Sequence, residues 1–86
     1  MKPYKDIEVT EEYIIREFSQ NINPIELLWH RDSESRLVEV IGETDWEMQL
    51  ENQLPSSLKF GVFIRERSWH RLIKGSGNLT LKIHKL

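Results

Sequence analysis

The sequence predicts an all-β fold, a small barrel or sandwich of short antiparallel strands. Three observations lead there. Apolar residues alternate with period two along most of the chain. Six or seven such segments follow one another at regular spacing, with clusters of Gly, Asn, Pro, Asp and Ser between them. No stretch requires a long helix.

Taken in order, residues 1–11 are polar, with only Ile7 and Val9 alternating, and read as a lead-in arm or edge strand. Residues 12–18 fit a short helix capped by Thr10 or a strand with Tyr13 and Ile15 on one face. The strand is preferred because everything after it is strand-like. Asn21 to Pro24 is a turn by residue type. Residues 25–29 read as a strand with Ile25, Leu27 and Trp29 on one face, and Leu28 and His30 on the other. Asp32 to Ser35 is a polar turn, and residues 37–41 form an apolar run broken by Glu39 and ended by Gly42. Residues 45–50 alternate cleanly, with Trp46, Met48 and Leu50 opposite Glu47 and Gln49. Residues 51–57 hold Asn52 and Pro55 and read as a loop. Residues 58–64 read as a strand in which Gly61 marks a bulge or a close backbone approach. Residues 69–73 are a further strand, and Lys74 to Asn78 read as a hairpin turn. The last strand, 79–85, turns Leu79, Leu81 and Ile83 inward.

Composition narrows the function classes. At 86 residues the chain is expected to be a single domain, with 1–11 an arm and 25–85 the core barrel. Charged residues make up 30%, but 12 basic against 14 acidic side chains leave a net charge of −2. That balance argues against compositional disorder and makes nucleic acid an unfavoured partner. Cysteine is absent, which removes disulfide scaffolds, Cys–zinc sites and thiol catalysis. No apolar run approaches the ~20 residues of a membrane helix, and no signal-peptide core is visible. The expectation is a soluble, cytoplasmic protein.

Most chemical motifs are missing. Gly75-Ser76-Gly77 lacks the Lys and the helix of a phosphate loop, and no serine sits in a nucleophile-elbow context. Arg65 to Arg71 interleaves cations with Trp69, as nucleic-acid surfaces do, but reads more simply as a solvated turn and strand edge. His84 lies on the polar face of the last strand. The remaining histidines share a local pattern, Trp29-His30-Arg31 and Trp69-His70-Arg71. Two histidines converging inside a barrel would make a site.

From Leu28 to Ile83 the chain resembles a small cupin, the double-stranded β-helix or jelly-roll family. The resemblance is carried by Trp29-His30-Arg31-Asp32, by Arg36 to Gly42, by Leu58 to Arg65, and by Trp69-His70-Arg71 ahead of the closing glycine-containing turn. It implies a cupin-like jelly-roll barrel of short antiparallel strands. It also implies that His30 and His70 stand at the first and last metal-ligand positions. The family's second His falls on Asp32, its Glu on Arg36, and its Pro on Arg65.

The resemblance therefore implies His30, Asp32 and His70 as a ligand set for a divalent Fe, Mn, Ni or Zn ion. Arg36 opposes it. A guanidinium neither ligates nor loses its charge. At about 4 Å and an effective dielectric near 20, each unit of like charge costs roughly 4 kcal/mol. Pairing of Arg36 with Asp32 or Glu34 would offset this. The leading expectation is accordingly a small, anionic ligand bound in the barrel interior by His30, Arg36, Gln49, His70 and Arg71. A metal-dependent enzyme using His30, Asp32 and His70 is the alternative, and a structural or protein-interaction module the third. Alternation alone leaves two packings open: the His face inward with Trp29, Trp46 and Trp69 outside, or the reverse. Large apolar residues on both faces, together with the resemblance, suggest a homodimer.

Overall fold

The computed structural model describes residues 3–86, so the first two residues of the expected arm lie outside the described part. The chain runs β1 (Lys5–Val9), β2 (Tyr13–Phe18), a 3-10 turn (Pro24–Glu26), β3 (Arg36–Val40), β4 (Glu47–Leu50), β5 (Ser56–Ser57), β6 (Val62–Ile64), β7 (His70–Ile73) and β8 (Leu79–Lys85). The strands form two antiparallel sheets, one of five strands in the order β1-β2-β8-β3-β6 and one of three in the order β5-β4-β7. The all-β expectation holds, and within residues 12–18 the chain forms a strand, Tyr13–Phe18, rather than a helix.

Both sheets contribute to one apolar core. The larger supplies Ile14, Phe18, Val38, Ile64, Leu79, Leu81 and Ile83, and the smaller supplies Met48 and Leu72. Alternation explains which side chains enter. In β8, Leu79, Leu81 and Ile83 are buried as expected. Trp46 just before β4 is fully buried, and its indole N–H donates to the Gly77 carbonyl at 3.1 Å. The lead-in arm is an edge strand, with a bulge between Asp6 and Glu8. Gly61 marks a close approach: at φ +78° an added Cβ would lie 3.3 Å from the Val38 carbonyl oxygen.

Four expectations are corrected. Residues 25–29 are not a strand. Asn23 accepts the Ile25 N–H, Pro24 opens a 3-10 turn, and Ile25 and Leu28 are exposed. Lys74 to Asn78 is not a hairpin turn. It carries the chain from β7 in the small sheet to β8 in the large one. Of residues 58–64 only β6 is strand; Leu58 is buried outside it, and Phe60 is exposed. The expected loop 51–57 also contains the short β5.

Candidate functional site

The site forms where a loop, β3 and β7 meet. In β7, His70 shares its face with buried Leu72 and is itself only 3% exposed. In β3, Arg36 shares its face with buried Val38. The main chain of His30 pairs with that of His70 in an isolated bridge, which sets the two imidazoles 4.2 Å apart, edge to face. Asp32 follows in the same loop. Its carbonyl accepts the Arg67 N–H at 2.7 Å, while the Ser35 hydroxyl accepts the Glu66 N–H at 3.0 Å. These bonds tie the Asp32 loop to the 65–68 loop.

The imidazoles are oriented in the same way. His30 Nδ1 lies 3.0 Å from the Leu28 carbonyl oxygen, and His70 Nδ1 lies 2.8 Å from that of Ser68. A carbonyl only accepts, so each Nδ1 carries the proton and donates it. In the neutral ring Nε2 is then a lone pair. His70 Nε2 sits 3.3 Å from Asp32 Oδ2. Two acceptors at that distance call for a proton or a cation between them. Protonation of His70 is disfavoured: burial holds its pKa below the ordinary 6.5, and the charges of His30 and Arg36 act in the same direction. The Ser68 carbonyl and the Asp32 carboxylate act against that shift without reversing it.

These donors fit a divalent cation. One ligand atom from each of His30, Asp32 and His70 lies within 4.8 Å of the others. Ligands about 2.1 Å from a tetrahedral zinc are about 3.4 Å apart, close to the His70–Asp32 separation. Donation of Nδ1–H to a main-chain carbonyl is also the usual support for an imidazole ligand. Arg36 is compatible with this set because it is paired, with Nη1 3.5 Å from Asp32 Oδ2 and Nη2 3.5 Å from Glu34 Oε1. One guanidinium and two carboxylates leave that trio at −1 before any ion is added.

The cluster opens on a cavity of about 370 Å³. His30, Asp32, Arg36 and His70 line it together with apolar side chains of both sheets. Gln49 and Arg71, expected among the ligand contacts, do not line it. They stand opposite one another on the outer face of β4 and β7, where Arg71 Nε donates to Gln49 Oε1 at 2.9 Å. Arg71 also stacks over Trp29. The outcome for the tryptophans is mixed: Trp29 and Trp69 are about 40% exposed, while Trp46 is inside. Trp46 shares the inward face of Met48, whereas Trp69 precedes an inward His70 and so points out.

Sequence reasoning missed Arg16, which also lines the cavity. Its signal was parity, since it lies between Ile14 and Phe18 on the inward face of β2. There it pairs with Asp6, Nε to Oδ1 at 2.7 Å and Nη2 to Oδ2 at 3.2 Å, and stacks 3.7 Å from the Tyr4 ring centroid.

Comparison with solved structures bears on the fold. An RmlC-like cupin family protein with a double-stranded β-helix fold from Methanocaldococcus jannaschii superposes with a TM-score of 0.68. The match covers 99% of this chain and 79% of that one, at 16% identity. The fold is that of the cupins. A cupin domain from Bordetella pertussis Tohama I superposes with a TM-score of 0.57, over 96% of this chain and 91% of that one, at 14% identity. No family model and no curated protein matches the sequence. Among the described residues of this small cupin-fold chain, no helix is long and apolar enough to cross a membrane.

Proposed function

We propose that this cupin-fold protein binds a divalent cation through His30, Asp32 and His70, and receives a small molecule in the cavity beside it. One observation carries the reading: both imidazoles give their Nδ1 proton to a main-chain carbonyl, the His70 Nε2 lone pair then lies 3.3 Å from Asp32 Oδ2, and one ligand atom from each of His30, Asp32 and His70 lies within 4.8 Å of the others. A cation bound there supplies Lewis-acid polarisation to an oxygen of the bound molecule. The chain's own residues orient the ligands, bury His70 and wall the cavity with apolar side chains. The same observation ranks cation binding above the metal-free anion site that the sequence favoured.

Metal content of protein purified without chelator, and calorimetric titration with zinc and cobalt(II), test this reading. The expected result is one ion per chain, with affinity reduced at least about tenfold in Asp32→Asn. Failure of every such ion to bind overturns it.

Anion binding without a cation is the second reading, favoured specifically by Arg36. Its guanidinium is largely buried yet weakly partnered, and Arg36 Nε makes no hydrogen bond.

A further inference from the structure

We infer that the molecule taken up by this cavity is a monocarboxylate with an apolar body, its carboxylate held by Arg36 and its body against Val38, Met48, Leu72, Leu81 and Ile83. This deepens the proposal above, and rests on its reading of the cavity as a ligand site.

Two arginines line the cavity, and they differ. Arg16 is satisfied by a two-pronged pairing with Asp6, at 2.7 and 3.2 Å. Arg36 makes only the two 3.5 Å contacts, and its buried Nε has no partner. Charge-assisted bonds to a carboxylate run at about 2.7–2.9 Å. With its side chain 18% exposed, Arg36 has little water to make up the difference. A carboxylate entering the cavity would be a better partner than either neighbour now is, and a planar fork suits it.

The rest of the lining fixes the rest of the molecule. Away from the His–Asp–Arg36 end, Tyr4, Arg16 and Glu26 supply the other polar side chains, and Arg16 is engaged. The remaining walls are apolar, so a body rich in polar groups would find few partners along them. Glu26 repels a second anionic group. The charge count agrees. At the His–Asp–Arg36 end alone, Asp32, Glu34 and Arg36 sum to −1, and a divalent cation brings that end to +1, which favours an anionic group there; Glu26 elsewhere in the lining lowers the total by one more. The cavity, at about 370 Å³, lies at the small end of ligand sites, which limits the body to a short chain or a single ring.

The test is calorimetric titration of hexanoate, hexanamide, acetate and inorganic phosphate into the zinc-free and zinc-loaded protein. Hexanoate is expected to bind once per chain, about tenfold or more tighter than the other three. Arg36→Met is expected to remove about tenfold or more of that affinity, with circular dichroism showing the fold retained. Arg36→Lys, which keeps the charge without the fork, should fall between them. Should Arg36→Met fail to fold, the wild-type ranking of the four probes and Arg36→Lys decide the matter. Equal binding of hexanamide or phosphate, no hexanoate binding to either form, or unchanged affinity in the arginine variants overturns the inference. Zinc uptake, read in the same series, fails separately. Its absence removes the cation reading and leaves the hexanoate result decisive for Arg36.

Discussion

His30 and His70 exchange both of their main-chain hydrogen bonds, N–H to carbonyl at 3.0 and 2.9 Å, although no strand contains His30. The pairing belongs to the backbone, so it survives replacement of either side chain. His30→Ala, at an exposed position, is expected to change unfolding free energy by no more than about 0.5 kcal/mol. His70→Ala empties a buried position and is expected to cost about 1–3 kcal/mol. Both should lose cation binding. Urea unfolding paired with zinc titration separates the two effects, and wild-type zinc affinity in His30→Ala would remove that residue from the ligand set.

Acidification should destabilise the metal-free protein through His70. Its pKa is lowered in the fold by burial, with the unfolded chain at the ordinary 6.5. Between those two values the unfolded state binds more protons, so stability rises with pH. The contribution is fully present above about 6.5 and is lost as pH falls through the folded value. Unfolding curves from about pH 7.5 down to about pH 4.5, which span the ordinary His value of about 6.5, should show a decline that is smaller in His70→Leu. An identical pH slope in that variant would assign the decline to other groups.

Arg36 is expected to modulate cation binding at the proposed site. It contacts the same Asp32 Oδ2 that faces His70, at 3.5 Å against 3.3 Å. Arg36→Met removes both a competitor for that oxygen and a nearby positive charge. Zinc affinity is therefore expected to rise by about tenfold or more, in the absence of any carboxylate. A weaker affinity would mean that Arg36 holds Asp32 in place rather than competing for it.

The connection between the sheets is sterically fixed at Gly75. A Cβ there would lie 2.3 Å from Asp45 Oδ1 and 2.7 Å from the Trp46 nitrogen. The Asp45 carboxylate meanwhile accepts both the N–H and the hydroxyl of Ser76. Gly75→Ala is expected to lose about 1–3 kcal/mol through overpacking. Gly42→Ala meets only an unfavourable φ of +88° in open space, and should lose about 1 kcal/mol. Denaturant melts of the two variants side by side check the order, and a reversed order would show that the turn relaxes freely.

Strands were legible where one face is buried and the other is not. In β8 the alternation is clean because core and solvent alternate under it, and Leu79, Leu81 and Ile83 are the buried positions; in β4 it picks out Met48, while Leu50 is half-buried like its polar neighbours. Ile25, Leu27 and Trp29 alternate too, but over a 3-10 turn and an exposed loop, and periodicity cannot tell these apart from a strand. Asn23 and Pro24 were the better signal there. Lys74 to Asn78 has the residues of a hairpin turn, yet links two sheets, because turn chemistry fixes a bend and not which strands then pair. The Trp-His-Arg pattern led to His30 and His70. Arg71 follows an inward His70 and so faces out by alternation alone, which excludes it from a site built on His70.

The last strand, β8, lies in the middle of the larger sheet, hydrogen-bonded to β2 on one side and β3 on the other. The β1–β2 hairpin and the β3–β6 pair join strands closer together in the chain. The order of strands across the sheet thus departs from their order of synthesis. A nascent chain that has not yet reached Leu79 carries two bare strand edges at once, the arrangement most open to pairing with other chains. The seven residues of β8 close both in a single step, so any cut that removes them exposes the whole interior rather than trimming a margin.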